Sequence, residues 1–358
     1  TELDHARTLR FTWNELGYLR SIKRSDGFAM FKDDFLDFAE SFSLPGYTLE
    51  KMEDGQYKLE FKGTWVETIL WETIALSIVN ELRTTSLIKP LSYEQHFNVW
   101  LTQYQNLKRK IAILKEHPDI SITEFGTRRR AGRVWQEYIV ETLVNEIPAQ
   151  FAGTSNVYLA MHYGVTPIGT MAHETFMAMF GLMHDSNEEI RASHNKVLQD
   201  WWDEYGYDLS IALTDTYGTE FFFRDMTREQ ALAWKGLRHD SGDPIEFGEN
   251  AIRFYENYGI DPMAKVLVFS DGLEIEIIIK IAEHFAGRIQ VAFGWGTNLT
   301  NDIGFVTLSL VIKLIESNEY GTVKLSDNIA KATGHDADIA LAVEIFGYGE
   351  GVYQEVKY

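Results

Sequence analysis

The chain has 358 residues, 45 % of them apolar and 24 % charged, enough for about two domains and a sizeable core. It has no cysteine, which excludes disulfides, thiolate metal sites and cysteine nucleophiles together and fits a reducing compartment. Thirty-three basic residues against 53 acidic leave a net charge of −20. Such a surface repels nucleic acid and anionic lipid, and no run reaches the roughly 18 apolar residues of a membrane span.

The chain opens Thr1-Glu2-Leu3 with no charged-then-apolar leader to read as a signal peptide, and a trimmed N-terminus is expected. Residues 47–52 and 56–61 alternate apolar with polar around Asp54-Gly55, which predicts a β-hairpin. Trp65, Ile69, Leu70, Ile74 and Leu76 follow helical spacing in a segment ending near Arg83, and a second helix is expected over 93–115. Residues 1–118 therefore read as an α+β domain of their own.

From residue 119 short apolar runs end in Gly, Thr, Ser or Asp, and most are followed by helix-length segments. They are Ile120–Phe125, Phe151–Gly153, Val165–Gly169, Leu209–Thr214, Lys235–Leu237, Lys265–Ser270, Ile289–Phe293 and Leu308–Leu314. Strand–loop–helix units repeated about eight times predict an irregular (β/α) barrel over 119–358, with a doubly wound sheet as the alternative. The C-terminal tail is expected to pack back on the N-terminal domain.

In such a barrel, reactive groups sit on the loops after the strands, and the unusual residues fall there repeatedly. Ser270-Asp271-Gly272 and Gly294-Trp295-Gly296-Thr297 read either as tight turns or as phosphate seats, because glycine lets an anion approach the backbone. Their succession favours phosphate. Neither matches a Walker loop or a dinucleotide fingerprint. Arg128, Arg129, Arg130 and Arg133 open a predicted helix, a poor place for cations. In so acidic a chain they point to a carboxylate or phosphate ligand, with Arg128 nearest the strand end. His173 in Gly-Thr-Met-Ala-His-Glu is as readily structural as catalytic. Asp240 and Asp243 flank Ser241-Gly242 behind Arg238, a set that suits Mg²⁺ or sugar hydroxyls but also a turn. Phe125 can stack on a heterocycle or fill the core. No Ser-His-Asp order, His-Glu-x-x-His or Cys-His finger is present.

Taken together, eight motifs in order resemble the nicotinate phosphoribosyltransferases. They are Glu124-Phe-Gly-Thr-Arg-Arg-Arg130, Gly153-Thr-Ser-Asn-Val-Tyr-Leu-Ala160, Thr166-Pro-Ile-Gly-Thr-Met-Ala-His-Glu174, Ala212-Leu-Thr-Asp-Thr216, Gly236-Leu-Arg-His-Asp-Ser-Gly-Asp-Pro244, Val268-Phe-Ser-Asp-Gly272, Phe293-Gly-Trp-Gly-Thr297 and Lys324-Leu-Ser-Asp327. The resemblance implies a type II phosphoribosyltransferase fold. It also implies a cytoplasmic step of NAD salvage, in which nicotinate and 5-phosphoribosyl 1-diphosphate give nicotinate mononucleotide and diphosphate, coupled to ATP hydrolysis.

By the same resemblance, His173 is phosphorylated by ATP, Thr170 and Arg238 hold nicotinate, and Gly296 and Thr297 hold the sugar phosphate. Ser270 and Gly272 join the substrate loops, Phe125 and Arg128 take ring-stacking and anion-contacting positions, and Asp240, with Asp243, lies near the ribose or Mg²⁺. Ser155 stands where nicotinamide-using relatives carry an acid, so preference for the free acid is expected. The family's opening segment, with its ring-stacking tyrosine, has no counterpart in Thr1–Arg24 and is expected to be missing; a homodimer follows by analogy. The competing readings are a nicotinamide-using enzyme and a non-catalytic phosphosugar-binding barrel.

Overall fold

The computed structural model describes residues 1–308 and 310–349. Three short helices, Glu2–Thr8, Trp13–Ser21 and Asp33–Ser41, lead into the hairpin of β1 (Tyr47–Lys51) and β2 (Tyr57–Phe61). Tyr47 pairs with Phe61 and Lys51 with Tyr57, and Gly55 turns at φ +85°. Two long helices follow, Trp71–Ile88 and Tyr93–Glu116. Apolar periodicity points one face of Trp71–Ile88 inward, so that Trp71 and Ala75 join Leu3, Ala6, Phe42 and Leu44 in a separate small core. Phe61 stacks on Trp71 at 4.8 Å between centroids.

Six parallel strands form the second part: β3 (Ile122–Glu124), β4 (Phe151–Thr154), β5 (Ile211–Leu213), β6 (Gly236–His239), β7 (Val266–Phe269) and β8 (Gln290–Trp295). Their order across the sheet is β4-β3-β8-β7-β6-β5. This order is cyclic, because the last strand pairs with the first and every other neighbour is the next in sequence. Right-handed crossovers that all step in one direction place the helices on one side and coil the sheet. A doubly wound sheet reverses its step at a switch point. The irregular barrel is therefore the architecture, with its gap between β4 and β5.

Two of the eight expected strands are not formed. Val165–Gly169 contributes a single parallel bridge from Pro167 to Thr154, inside that gap. The Thr166 carbonyl and the Ile168 N–H make that bridge to Thr154, and Pro167 between them has no N–H to offer a strand on its other side. Leu308–Leu314 forms no strand among its described residues, Ser309 lying outside them. Its apolar residues serve another purpose, with Ile312 packing on the N-terminal core. The Val306 carbonyl likewise accepts from Arg83 at 3.2 Å.

The chain then turns through β9 (Glu316–Ser317) and β10 (Tyr320–Gly321) into the final helix Asp336–Phe346. That helix lies against Asn187–Tyr205 of the barrel layer, and Phe346 stacks on Tyr217 at 3.9 Å. Return to the N-terminal domain is made by the segment around Val306 and Ile312; residues 350–358 of the expected tail lie outside the described residues. Among the described residues no helix is long and apolar enough to cross a membrane.

Candidate active site

Because the six strands are parallel and adjacent, their C-terminal ends share one rim. Moving along it from β4 to β5 come Ser155, Phe125, Gly296 with Thr297, Ser270 with Gly272, Arg238 with Asp240, and Asp215 with Thr216. The sequence-selected residues thus meet on one edge. His173 joins them from the first turn of the helix His173–Leu182.

At the β3 end, Glu124 is fully buried. It accepts from the Gly126 N–H and the Thr154 hydroxyl at 2.5 Å each, and from Gln136 Nε2 at 3.0 Å. Burial pushes its carboxyl up against these donors. The arrangement fixes the Phe125–Arg130 loop, and the Phe125 N–H donates to the Trp295 carbonyl at 2.8 Å. Gly294 lets the Phe125 ring lie on β8, since a Cβ there would sit 2.6 Å from the ring. Ser155 is exposed beside it, its N–H on the Glu124 carbonyl at 2.9 Å.

The arginine run divides in purpose. Arg128 reaches Glu72 Oε1 at 2.6 Å and Arg130 reaches Glu81 Oε1 at 2.9 Å, both on helix Trp71–Ile88. These pairs tie the N-terminal domain to the rim. Arg128 keeps 37 % of its side chain exposed and remains available to an anion.

The densest network surrounds Arg238. Its Nε donates to Ser270 Oγ at 2.8 Å, one terminal nitrogen to Thr170 Oγ1 at 2.8 Å and the Met171 carbonyl at 3.0 Å, the other to Asp240 Oδ1 at 2.8 Å. Asp240 Oδ2 stands 3.0 Å from His173 Nε2, and Thr216 Oγ1 stands 3.0 Å from His173 Nδ1. A carboxylate only accepts, so the imidazole proton belongs on Nε2 and the lone pair on Nδ1. Burial, reinforced by the nearby Lys324 ammonium, lowers the imidazole to about 4, which keeps it neutral at physiological pH. Burial alone would raise Asp240, but Arg238 and His173 hold it well below the usual carboxylate range.

Further buried residues complete the network. Asp215 is buried; its Oδ2 accepts from Ser241 Oγ at 2.6 Å and lies 3.4 Å from Lys324 Nζ. Asp327 accepts from the Thr219 N–H and hydroxyl, both at 2.6 Å, and burial with Asp215 raises its carboxyl to about 6. Glu174 is also buried and accepts from Trp65 Nε1 at 3.0 Å. Asp215 and Lys324 stood inside quoted motifs, but spacing gives no sign that segments over 100 residues apart meet.

Three side chains here could hold a hard cation. Ligand atoms of His173, Asp215 and Asp240 lie within 4.8 Å of one another, and Asp215 Oδ1 is buried without a hydrogen bond. The two carboxylates suit Mg²⁺. Asp243 stands apart, because its Oδ1 accepts from Ile245 and Glu246 N–H at 2.8 and 2.9 Å as a helix cap.

Residues 120–350 match the model of the nicotinate phosphoribosyltransferase (NAPRTase) family, and residues 1–80 match the family's N-terminal domain. The chain belongs to the nicotinate phosphoribosyltransferase family. It is similar to the crystal structure of nicotinate phosphoribosyltransferase from Porphyromonas gingivalis, with a TM-score of 0.86 and 31 % identity over 97 % of this chain and 87 % of that one. The enzyme of that name from Vibrio cholerae gives a TM-score of 0.87 and 32 % identity over 97 % of this chain and 83 % of that one. Within this family, the rim just described is the candidate active site.

Proposed function

We propose that the chain transfers the phosphoribosyl group of 5-phosphoribosyl 1-diphosphate to nicotinate, a step of NAD salvage in the cytoplasm, and that ATP drives it through a phosphohistidine at His173. The observation that carries this reading is a neutral imidazole locked between Thr216 and Asp240, one hydrogen bond from the Arg238 network.

In the transfer step the nicotinate ring nitrogen attacks the anomeric carbon. The bond from that carbon to the diphosphate breaks, and diphosphate leaves with the electron pair. Arg238 and Thr170, already hydrogen-bonded to each other, would receive the nicotinate carboxylate, while Phe125 would stack on the ring and Arg128 would meet an anion beside its Glu72 pair. Gly296, Thr297, Ser270 and Gly272 would border the sugar phosphate. Holding both reactants in line removes much of the entropic barrier. Asp215 and Asp240 would hold Mg²⁺, which supplies positive charge to the phosphate oxygens.

In the ATP step the Thr216 hydroxyl would turn away from Nδ1, whose freed lone pair attacks the γ-phosphorus, and the bond to the β-phosphate oxygen breaks, so that ADP departs with the electron pair. Asp240, on the Nε2–H, stabilises the positive charge that the ring acquires. The test is incubation with γ-labelled ATP. The wild type should take up acid-labile label and His173→Ala none, with nicotinate consumption dependent on phosphoribosyl diphosphate. Label retained by the variant, or none on the wild type, overturns the coupling.

A further inference from the structure

The helix His173–Leu182 carries the site's imidazole on its first residue. Its body is fixed independently of that residue. The Tyr217 hydroxyl donates to the Phe176 carbonyl at 3.0 Å, and Ser317 Oγ donates to the Ala178 carbonyl at 3.1 Å. Gly181 lets β9 lie against the helix, since a Cβ there would stand 2.4 Å from the Ser317 carbonyl oxygen. The first turn lacks such support. Its N-cap is Ala172, which has no side-chain oxygen to accept from the free N–H groups.

Glu174, the second residue of that turn, is about 100° around the helix axis from His173. The imidazole meets Thr216 and Asp240 of the barrel, whereas Glu174 is bonded to Trp65 Nε1 of the N-terminal domain at 3.0 Å. A carboxylate in a first turn ordinarily serves the helix's own N–H groups or stays in water. This one is 6 % exposed, and among the described residues the indole is the one hydrogen-bond donor to its side chain. Burying a carboxylate on a single donor is costly. Trp65 is held ready for it. The Thr64 N–H and hydroxyl donate to Glu67 Oε2 at 3.2 and 2.7 Å, which starts the short helix Trp65–Thr68 at the indole. The ring stays 40 % exposed and is not part of the small core around Trp71, so packing does not account for its placement.

We infer that Trp65 and Glu174 are positioning residues for His173: through their hydrogen bond the N-terminal domain sets the first turn of the helix and, with it, the imidazole. The inference rests on the proposed ATP step for the reaction it serves, while the placement of the ring is measurable without ATP. Misplacing a reacting atom by about 1 Å costs on the order of a hundredfold in rate. A loosened first turn therefore lowers turnover and leaves the affinity for ATP alone.

The test uses the full chain as wild type, Trp65→Phe, Glu174→Ala and Glu174→Gln. Two readouts are the rate of labelling by γ-labelled ATP and the imidazole ¹⁵N resonances of His173, identified by their absence from His173→Ala. Trp65→Phe keeps an aromatic ring and deletes the donor. It should lower kcat for labelling about tenfold at unchanged KM and move the His173 resonances. Glu174→Ala should do the same, and Glu174→Gln, which keeps an accepting oxygen, should stay near wild type. The double variant Trp65→Phe/Glu174→Ala should fall no further than either single one, because both remove the same bond. Equal labelling rates in wild type and Trp65→Phe, or unmoved His173 resonances, overturn the inference. Resonances that depend on Trp65 in a wild type that takes no label retain the positioning and overturn the ATP step. No label together with unmoved resonances overturns both. Because the body of the helix is fixed elsewhere, the variants should keep a cooperative thermal transition; if Trp65→Phe does not fold, Glu174→Ala set against Glu174→Gln decides in the same way.

Discussion

At the scale of single residues the site sets two protonation equilibria against each other. The imidazole of His173 titrates near 4 in the folded chain, against 6.5 for a free histidine. Between those values the unfolded chain binds more protons, so stability falls as pH drops, by up to about 1.4 kcal/mol per pH unit. Asp327, raised from 3.8 to about 6, works in the opposite sense. Its folded form takes up the proton first, so acidification from pH 6 to pH 4 adds stability. The two contributions nearly cancel in that window. Asp327→Asn removes the second, and its urea midpoint should fall more steeply from pH 6 to pH 4 than that of the wild type; equal slopes would contradict the assignment. Ser155 governs a different choice. A carboxylate at this exposed position would repel nicotinate and accept from an amide N–H. Ser155→Asp is therefore expected to shift the kcat/KM ratio of nicotinate to nicotinamide by about tenfold or more towards the amide, measured with both bases under identical conditions.

At the scale of elements, close approach of the loops is made possible by missing side chains. Gly294 accommodates the Phe125 ring on β8, and a methyl group there must displace the ring. If that ring forms a wall for the base, Gly294→Ala should raise the KM for nicotinate by about tenfold, equal to some 1.4 kcal/mol of lost contact, while leaving diphosphate affinity close to wild type. Steady-state kinetics with calorimetry separates the two effects. Elements also show which sequence signals were trustworthy. The hairpin at Asp54-Gly55 and the helix Tyr93–Glu116 fall where local pattern placed them, within a residue or two. Their signals are local: a turn dipeptide between alternating runs, and sustained helical periodicity. Val165–Gly169 and Leu308–Leu314 were equally apolar but formed no strands among the described residues. An apolar run reports burial and does not say against what, and Ile312 is buried on the other domain's core.

At the scale of the whole molecule, the site lies where the barrel rim meets the N-terminal domain, joined by Arg128–Glu72, Arg130–Glu81 and Trp65–Glu174. Ligand that binds only the folded chain stabilises it by about 2.7 kcal/mol at a hundred times its Kd. Because both parts border the site, phosphoribosyl diphosphate should raise the unfolding midpoint seen by tryptophan fluorescence and by far-ultraviolet dichroism together. A shift confined to one probe would place the ligand on a single domain.

The sequence by itself determined the strand–loop–helix rhythm, the family motifs, and that His173, Arg238 and Asp240 fall at or next to strand–helix junctions. These depend on interactions within about ten residues, which a linear pattern records. Only the tertiary structure decided that Asp215 and Lys324 close around His173, and that the arginine triplet is partly spent on the N-terminal domain. It also decided that Asp243 caps a helix while Asp215 stands beside Asp240. Electrostatic partnership depends on distance in space, and sheet order and hairpin register, which set that distance, leave no mark at any single position of the chain.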